Sequence, residues 1–477
     1  MNIFLQLSKT DYERQIKNII YAFFLPAEFV ACRTQEIDLA LFVEILQDKI
    51  SIRLENAKEE LIKEKSFSCK EEQRSIEIEQ AVYEVISEAY GYILPWGILT
   101  GVRPVKIASR LLKSGVADEQ IIAEYTERRF VNAEKAKLCL SLAKKENNCL
   151  QNMPKNAVAL YVHIPICPHR CKYCSFISKQ STDQYYIAQY LNALLQEIRA
   201  IGAYFSNKNI LVDSLYIGGG TPALLDADMI EKLLFELVQY FDTGKMREAT
   251  FEAGRADCIT VEKLEAMKEG GMSRICINAQ SMHNETLQSI GRGLTKEEFL
   301  HAYALARKYS FAMNVDLIYG LEGENESMFY DSLEQVISLQ PENITLHTLA
   351  YKKKAKDFEN KMRREREHLT GFDSAYGLLK TKGYVPYYLY RQKHAVSGGE
   401  NTGFCKEGTE GIYNISVLSD RVDIIALGAG AVGKICEKNT HRIRRVDGCQ
   451  EIDFYIQHIH EVIHKKRRIY EASNKVF

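Results

Sequence analysis

From residue 156 onward, six short β-rich runs alternate with amphipathic helical stretches. The runs are ALYVHIPI (159–166), SLYIGGG (214–220), EATFEAG (248–254), RICINAQ (274–280), MNVDLIYG (313–320) and NITLHTLA (343–350). Between them lie segments such as IAQYLNALLQEIRAIGAYF and DADMIEKLLFELVQYF, whose apolar residues recur at three and four and give each helix one buried face. Six βα units in series imply a parallel sheet with crossover helices.

At 477 residues the chain is longer than that unit alone, since a domain takes roughly 150 residues. Residues 1–98 mix short apolar runs with charged helical stretches and read as a small α+β domain. Residues 99–155 read as a helical connector, in which Pro104 suits the first turn of a helix and Gly115 its end. Residues 156–385 form the βα core. Residues 386–477, tyrosine- and glycine-rich and then helical, form a C-terminal extension. The chain contains no tandem repeat.

A formal net charge of −1 gives no basic surface for a nucleic acid. No apolar stretch approaches the roughly 18 residues of a membrane span. The start, MNIFLQLSKTDYERQ, does not read as a signal peptide. The expectation is a cytoplasmic protein whose thiols stay reduced. Of twelve cysteines only three cluster tightly, in Tyr161-Val-His-Ile-Pro-Ile-Cys167-Pro-His-Arg-Cys171-Lys-Tyr-Cys174-Ser-Phe176. This C-x3-C-x2-C loop directly follows the first β run. Three thiolates this close can wrap one face of an iron–sulfur cubane and leave one iron open for chemistry. A structural zinc with His169 as its fourth ligand is the competing reading.

The loop, together with Gly-Gly-Gly-Thr-Pro (218–222), Gln280-Ser, Gly291-Arg292-Gly293 and Asp316-Leu-Ile-Tyr-Gly-Leu, resembles the radical S-adenosylmethionine (SAM) superfamily, and within it the oxygen-independent coproporphyrinogen III oxidase group. Glu252-Ala-Gly-Arg-Ala-Asp257, His347-Thr-Leu-Ala350, Tyr388-Leu-Tyr-Arg-Gln-Lys393, Gly408-Thr-Glu-Gly-Ile-Tyr-Asn414 and Leu427-Gly-Ala-Gly-Ala431 are similar to the HemZ-type coproporphyrinogen dehydrogenases, as is Gly101-Val-Arg-Pro-Val-Lys106. The resemblance implies an α/β fold, a partial (β/α)6 barrel whose site lies at the carboxyl ends of the strands. It implies a [4Fe–4S] cluster on Cys167, Cys171 and Cys174. It also implies a SAM site lined by Tyr161, Tyr173, Gly219, Gly220, Thr221, Glu252, Gln280, Arg292, Asp316 and Ala350, with Arg292 suited to clamp a carboxylate. The implied activity is oxidative decarboxylation of coproporphyrinogen III to protoporphyrinogen IX in heme biosynthesis, fed by a low-potential electron donor. A 5′-deoxyadenosyl radical would take hydrogen from each of two propionate β-carbons, and loss of CO2 and one electron would leave a vinyl group.

Related oxidases carry a fourth cysteine two positions after the third; here that position is Phe176. A heme chaperone of the same superfamily is one alternative, but its His-Asn-x-x-Tyr-Trp motif is excluded because the single tryptophan is Trp96. A radical SAM methyltransferase acting on a tetrapyrrole, or a heme-degrading enzyme, is another. Residues 386–434 are expected to cover the barrel mouth, with Arg391 and Lys393 meeting the substrate's propionates. The mixed-sign run at 352–367 reads as a solvated helix, His458, His460 and His464 as the polar face of a terminal helix, and Cys276 as a small core residue.

Overall fold

The computed structural model describes residues 1–24, 27–32, 36–176, 179–206, 208–350, 372–393, 395, 398–437 and 442–472. The run at 352–367 lies outside them.

The chain opens on strands β1 (Asn2–Leu7), β2 (Glu28–Val30), β3 (Leu39–Ile45), β4 (Lys49–Asn56) and β5 (Leu61–Ser68), which form one sheet in the order β2-β1-β3-β4-β5. Strand β4 shows how the sequence sets its faces. Ile50, Ile52 and Leu54 alternate with Ser51 and Arg53, and the apolar set is fully buried. Helices Glu13–Phe23 and Arg74–Tyr90 cover that face with Ile16, Ile19, Ile20, Ile78, Val82 and Ile86. Three helices follow, Val105–Lys113, Asp118–Arg129 and Ala133–Leu150, around a separate core containing Trp96 and Tyr125. Pro104 caps the first of them, and its carbonyl accepts from Tyr125 Oη at 2.7 Å.

The six expected βα units are present. Strand β6 (Ala157–Ile164) leads into the two-residue strands β7 (Ile166–Cys167) and β8 (Lys179–Gln180), which pair around the cysteine loop. Then come β9 (Leu211–Gly219), β10 (Glu248–Gly254), β11 (Arg274–Ile277), β12 (Ala312–Tyr319) and β13 (Asn343–Thr348), each parallel to its predecessor. Leu160, Val162, Leu215, Ile217, Phe251, Ile275, Ile277, Val315, Leu317, Ile344 and Leu346 point outward into one core shared with the crossover helices. At roughly 1.5–3 kcal/mol for each fully buried large apolar side chain, this shell is the main support of the barrel.

The chain after the barrel extends both edges of its sheet. Strands β14 (Val385–Arg391) and β15 (Glu400–Cys405) add antiparallel beyond β13. Strand β16 (Asp423–Leu427) runs parallel to β6, followed by the antiparallel β17 (Val432–Cys436) and β18 (Ile443–Asp447). The resulting eleven-stranded order is β14-β15-β13-β12-β11-β10-β9-β6-β16-β17-β18. Terminal helix Ile459–Glu471 packs on helix Gln184–Ser206, where the buried Lys466 is paired with Glu197 and Tyr455 Oη donates to the same carboxylate at 2.7 Å. His458, His460 and His464 are exposed on this C-terminal segment, and His458 meets Glu461 at 3.1 Å.

One segment of the extension lies at the end of the barrel opposite the mouth it was expected to cover. Arg274, at the start of β11, donates to the carbonyl of Thr409 at 2.9 Å, and Asn343, at the start of β13, does the same at 2.9 Å. The backbone N–H of Ile412 donates to Glu248, the first residue of β10. Residues 409–414 therefore close the amino end of the barrel, opposite the cysteines. The polar groups that open β10, β11 and β13 need partners once buried, and this segment supplies them. Among the described residues of the extension, β14 and β15 form a side wall. No helix among the described residues is long and apolar enough to cross a membrane.

Candidate active site

Each barrel strand alternates an outward apolar residue with an inward polar one. The inward set is Tyr161 on β6; Tyr216 on β9; Glu248, Thr250 and Glu252 on β10; Arg274 and Cys276 on β11; Asn314 and Asp316 on β12; and Thr345 and His347 on β13. They line a cavity of about 580 Å³, a size usual for a small-molecule site. Cys276 is buried, as expected of a small core residue, and it also forms part of the cavity wall, because position 276 shares the inward face with Arg274 and Asn278.

All ten residues expected to hold SAM, and all three cysteines, line this one cavity. Cys167 lies at the edge of β7, and Thr221 Oγ1 approaches its Sγ at 3.5 Å. The N–H groups of Gly220 and Thr221 donate to the carbonyls of Ile164 and Ile166, both at 2.8 Å, which locks the end of β9 against the loop. Only glycine fits at 220: a Cβ there would stand 2.5 Å from Ile166 O and 2.9 Å from Cys167 Sγ. Cys171 and Cys174 sit on a turn closed by Cys174 N–H to Cys171 O at 3.1 Å and held by Lys172 N–H to Ile290 O at 2.9 Å.

Glu252 is half-buried in the cavity wall, and its carboxylate accepts from Gly219 N–H at 3.3 Å. Burial, and then the charge of Asp316, push its carboxyl up to about 7. Asp316 is pushed the other way. Burial opposes ionisation, but His347, 3.5 Å from its Oδ2, and Asn314, which donates to Oδ1 at 2.8 Å, hold it below the usual carboxylate range. Gln280 has a left-handed backbone, φ 67°, fixed by its N–H to Asp316 O at 2.8 Å and its carbonyl accepting from Ile318 at 3.0 Å. A non-glycine residue held there stores strain of the kind that collects at functional sites.

Arg292 departs from its expected task. Its Nη2 donates to Gly254 O at 2.8 Å and to Asn278 O, and its Nη1 to Tyr173 Oη at 3.3 Å, so the guanidinium ties strand ends together and does not present a free fork. Arg292 Nε, Gln280 Oε1, Asn278 Oδ1 and Arg255 Nη1 are buried with no hydrogen-bond partner among the described residues. Four such atoms on cavity-lining residues fit a polar ligand that supplies what the protein withholds. Cys167, Cys171 and Cys174 all line the cavity, and so does His169.

The wall from the C-terminal strands is aromatic. Tyr388, Tyr390 and Gln392 face inward in alternation along β14 and beyond its end, and a bulge between Pro386 and Tyr388 turns Tyr387 inward too. Tyr413 stacks on Tyr216 with ring centres 4.6 Å apart and forms the floor with Asn414. Arg391 and Lys393 are not brought to the cavity, which corrects their expected role. Arg391 falls on the opposite face of β14, where it stacks on Trp96 at 5.2 Å and donates to the carbonyls of Leu99 and Gly398. Lys393 lies on the surface beside Asn18. The pleat decides this, since neighbours along a strand point to opposite sides. Sequence reading missed His347, Tyr216, Tyr413, Asn314, Thr250 and Thr345 as site residues. The inward period of two in EATFE, NVD and TLH was the available signal.

A partial parallel barrel with three thiols at its mouth is the architecture of a radical SAM protein, and the radical SAM superfamily matches residues 161–336. The chain belongs to this superfamily and, within it, to the coproporphyrinogen-oxidase-like HemN/HemZ group, whose cofactors are a [4Fe–4S] cluster and SAM. It is 37% identical over 372 residues to the oxygen-independent coproporphyrinogen-III oxidase-like protein HemZ of Bacillus subtilis, covering 76% of this chain and 74% of that one. It is 28% identical to the heme chaperone HemW of Bacillus subtilis, over 63% of this chain and 78% of the relative. The fold matches the solved coproporphyrinogen III oxidase HemN of Escherichia coli with a TM-score of 0.54 at 22% identity, over 68% of this chain and 73% of that chain.

Proposed function

We propose that the chain catalyses SAM-dependent, oxygen-independent oxidative decarboxylation of coproporphyrinogen III to protoporphyrinogen IX. The observation that carries this reading is the division of one cavity into a polar, thiol-bearing end and a wall of stacked tyrosines. The first suits a cluster and a nucleoside, the second the broad apolar face of a macrocycle. The 37%-identical relative named for an oxidase-like role supports it.

In this reading Cys167, Cys171 and Cys174 hold the cluster, and Gly220 lets SAM approach the backbone. Cluster and SAM together supply a radical able to abstract hydrogen from an unactivated carbon. Glu252 and Asp316 accept hydrogen bonds from the ribose or amino group of SAM, and Gln280 Oε1 and Arg292 Nε satisfy their open valences on the same ligand. Tyr388, Tyr390 and Tyr413 enclose the macrocycle and exclude water from the reacting carbon. Arg170, which lines the cavity from the cysteine loop, takes over from Arg391 as the residue meeting a propionate.

The test is anaerobic incubation of reconstituted protein with SAM, reductant and coproporphyrinogen III, followed by porphyrin mass analysis. The expected product has lost two carboxyl groups and gained two vinyl groups. The 28% identity to a heme chaperone favours one other reading: tight stoichiometric heme binding with no vinyl product would establish that one. A methylated tetrapyrrole would identify a methyltransferase.

A further inference from the structure

His347 is held between Asn401, whose hydrogen-bonding role the backbone fixes, and Asp316. Asn401, fully buried on β15, accepts at Oδ1 from Thr348 N–H at 3.3 Å and donates from Nδ2 to Tyr390 O at 3.4 Å. Reversing that amide would set donor against donor and acceptor against acceptor, so its orientation is determined. Asn401 Oδ1 also lies 3.1 Å from His347 Nδ1, which must therefore carry a proton. The other ring nitrogen, Nε2, faces Asp316 Oδ2 at 3.5 Å. Opposite an ionised Asp316 a bare lone pair would be repulsive, so in the ion-paired state that nitrogen carries a proton as well. The imidazole is thus built into the wall as an imidazolium, clamped between β12 and β15.

We propose that His347 is a positioning residue for SAM: through the Asn401 clamp it keeps Asp316 ionised and aimed into the cavity as a hydrogen-bond acceptor. This rests on the reading that Asp316 faces SAM. It makes β15, a strand outside the parallel barrel, part of the cofactor site. The surroundings explain the need. Glu252 on β10 shares the cavity with Asp316, and two carboxylates in a buried space tend to share one proton. Cys276 from β11, and Tyr388 and Tyr390 from β14, also face the pair, and none of them is cationic. The Tyr390 hydroxyl, 3.5 Å from His347 Nδ1, accepts from Gln392 and adds no charge. His347 is the group on this part of the wall that lets Asp316 remain charged beside Glu252, in keeping with its own raised pKa, which the Asp316 hydrogen bond sustains against burial.

The experiment is titration calorimetry of SAM into the anaerobically reconstituted protein at pH 6, 7 and 8, in buffers of different ionisation enthalpy. For His347→Gln, the ratio of variant to parent Kd should be at least tenfold at pH 6 and shrink toward pH 8. SAM binding by the variant at pH 7 should release an additional fraction of a proton, because Asp316 must lose the one it has gained. Asp316→Asn should weaken binding at every pH, and adding His347→Gln to it should have little further effect. A ratio for His347→Gln that is the same at every pH, or no change at all, would overturn the inference. If Asp316→Asn binds SAM as tightly as the parent, the placement of SAM at Asp316 falls first, and failure of the parent to bind SAM would remove the cofactor assignment with it. Histidine-selective 15N spectra of the parent at pH 7 give an independent reading should the variant not fold: an imidazolium at His347 is expected, and a neutral ring would refute the clamp.

Discussion

The two walls of the cavity are built on different rules. The parallel half, β6 to β13, turns charged and polar groups inward at the carboxyl ends of its strands, with thiols on the first loop. The antiparallel half, β14, β15 and the floor at 409–418, turns in tyrosines and keeps its charges behind it. Behind β14, Arg391, Glu400 and Lys135 form a buried group in which Lys135 is paired with Glu400 and Trp96 Nε1 donates to Glu400 at 2.9 Å. One wall is arranged for chemistry. The other presents a neutral surface and uses its ions to bind the helical segment to the barrel edge.

The strongest way to sharpen this contrast is to remove the thiols. Cys167→Ala, Cys171→Ala and Cys174→Ala combined should give a colourless protein with no cluster iron and no SAM cleavage, against about four irons per chain in the parent; iron retained at the parent level in the triple variant would break the assignment. The opposite wall answers differently. Glu400→Ala leaves the buried Lys135 with Asp373 as its one carboxylate partner and removes the carboxylate near Arg391. Loss of one partner of a buried pair costs about 3–5 kcal/mol, so the thermal midpoint should fall clearly. Arg391→Ala should also lower it while SAM cleavage stays within about twofold. A selective loss of porphyrinogen turnover in Arg391→Ala, with unchanged melting, would return that arginine to the cavity.

An intermediate effect is expected from Glu252. Its folded carboxyl sits at about 7, above the unfolded value near 4.5. The folded state therefore binds the extra proton between those values, and without ligand this group's contribution to stability declines as pH rises from about 4.5 to 7. A ligand that donates to the carboxylate needs it ionised. SAM affinity should then weaken by up to about tenfold per pH unit below 7, and Glu252→Gln should abolish that slope in a binding titration. A flat profile in the parent would show that Glu252 does not meet SAM as a carboxylate.

The smallest effects belong to the tyrosines. Gly403 on β15 leaves room for the Tyr388 ring, since a Cβ there would come within 1.9 Å of it. Gly403→Ala should displace that ring and reduce porphyrinogen turnover several-fold with SAM cleavage unchanged. Tyr390→Phe should change turnover by no more than about threefold. Equal losses of SAM cleavage and turnover in Gly403→Ala would dissolve the distinction between the walls.

The parallel half was readable because its signals are local. Alternating β and helical runs, a cysteine loop after the first strand and a polar residue at each strand end are each contained in a few consecutive residues. The antiparallel half was not, and Arg391 shows why. Its basic character and tyrosine neighbours are in the sequence, but its direction depends on a bulge at Pro386–Tyr388 and on pairing with β15, which shift which residues face in.

What the sequence determined by itself was the barrel, its order and the cofactor end, since period-two and period-3.6 patterns fix faces without knowledge of distant partners. Tertiary structure alone decided the rest. Residues 409–414 went to the floor because the buried Glu248, Arg274 and Asn343 at the strand starts needed backbone partners. Arg391 went behind the wall, where Trp96 and Glu400 receive it, and His347 had its Nδ1 set against Asn401, 54 residues further along and held by its own backbone contacts. Each outcome depends on which buried polar group meets which partner across long sequence separations, and such pairing leaves no periodic trace in the chain.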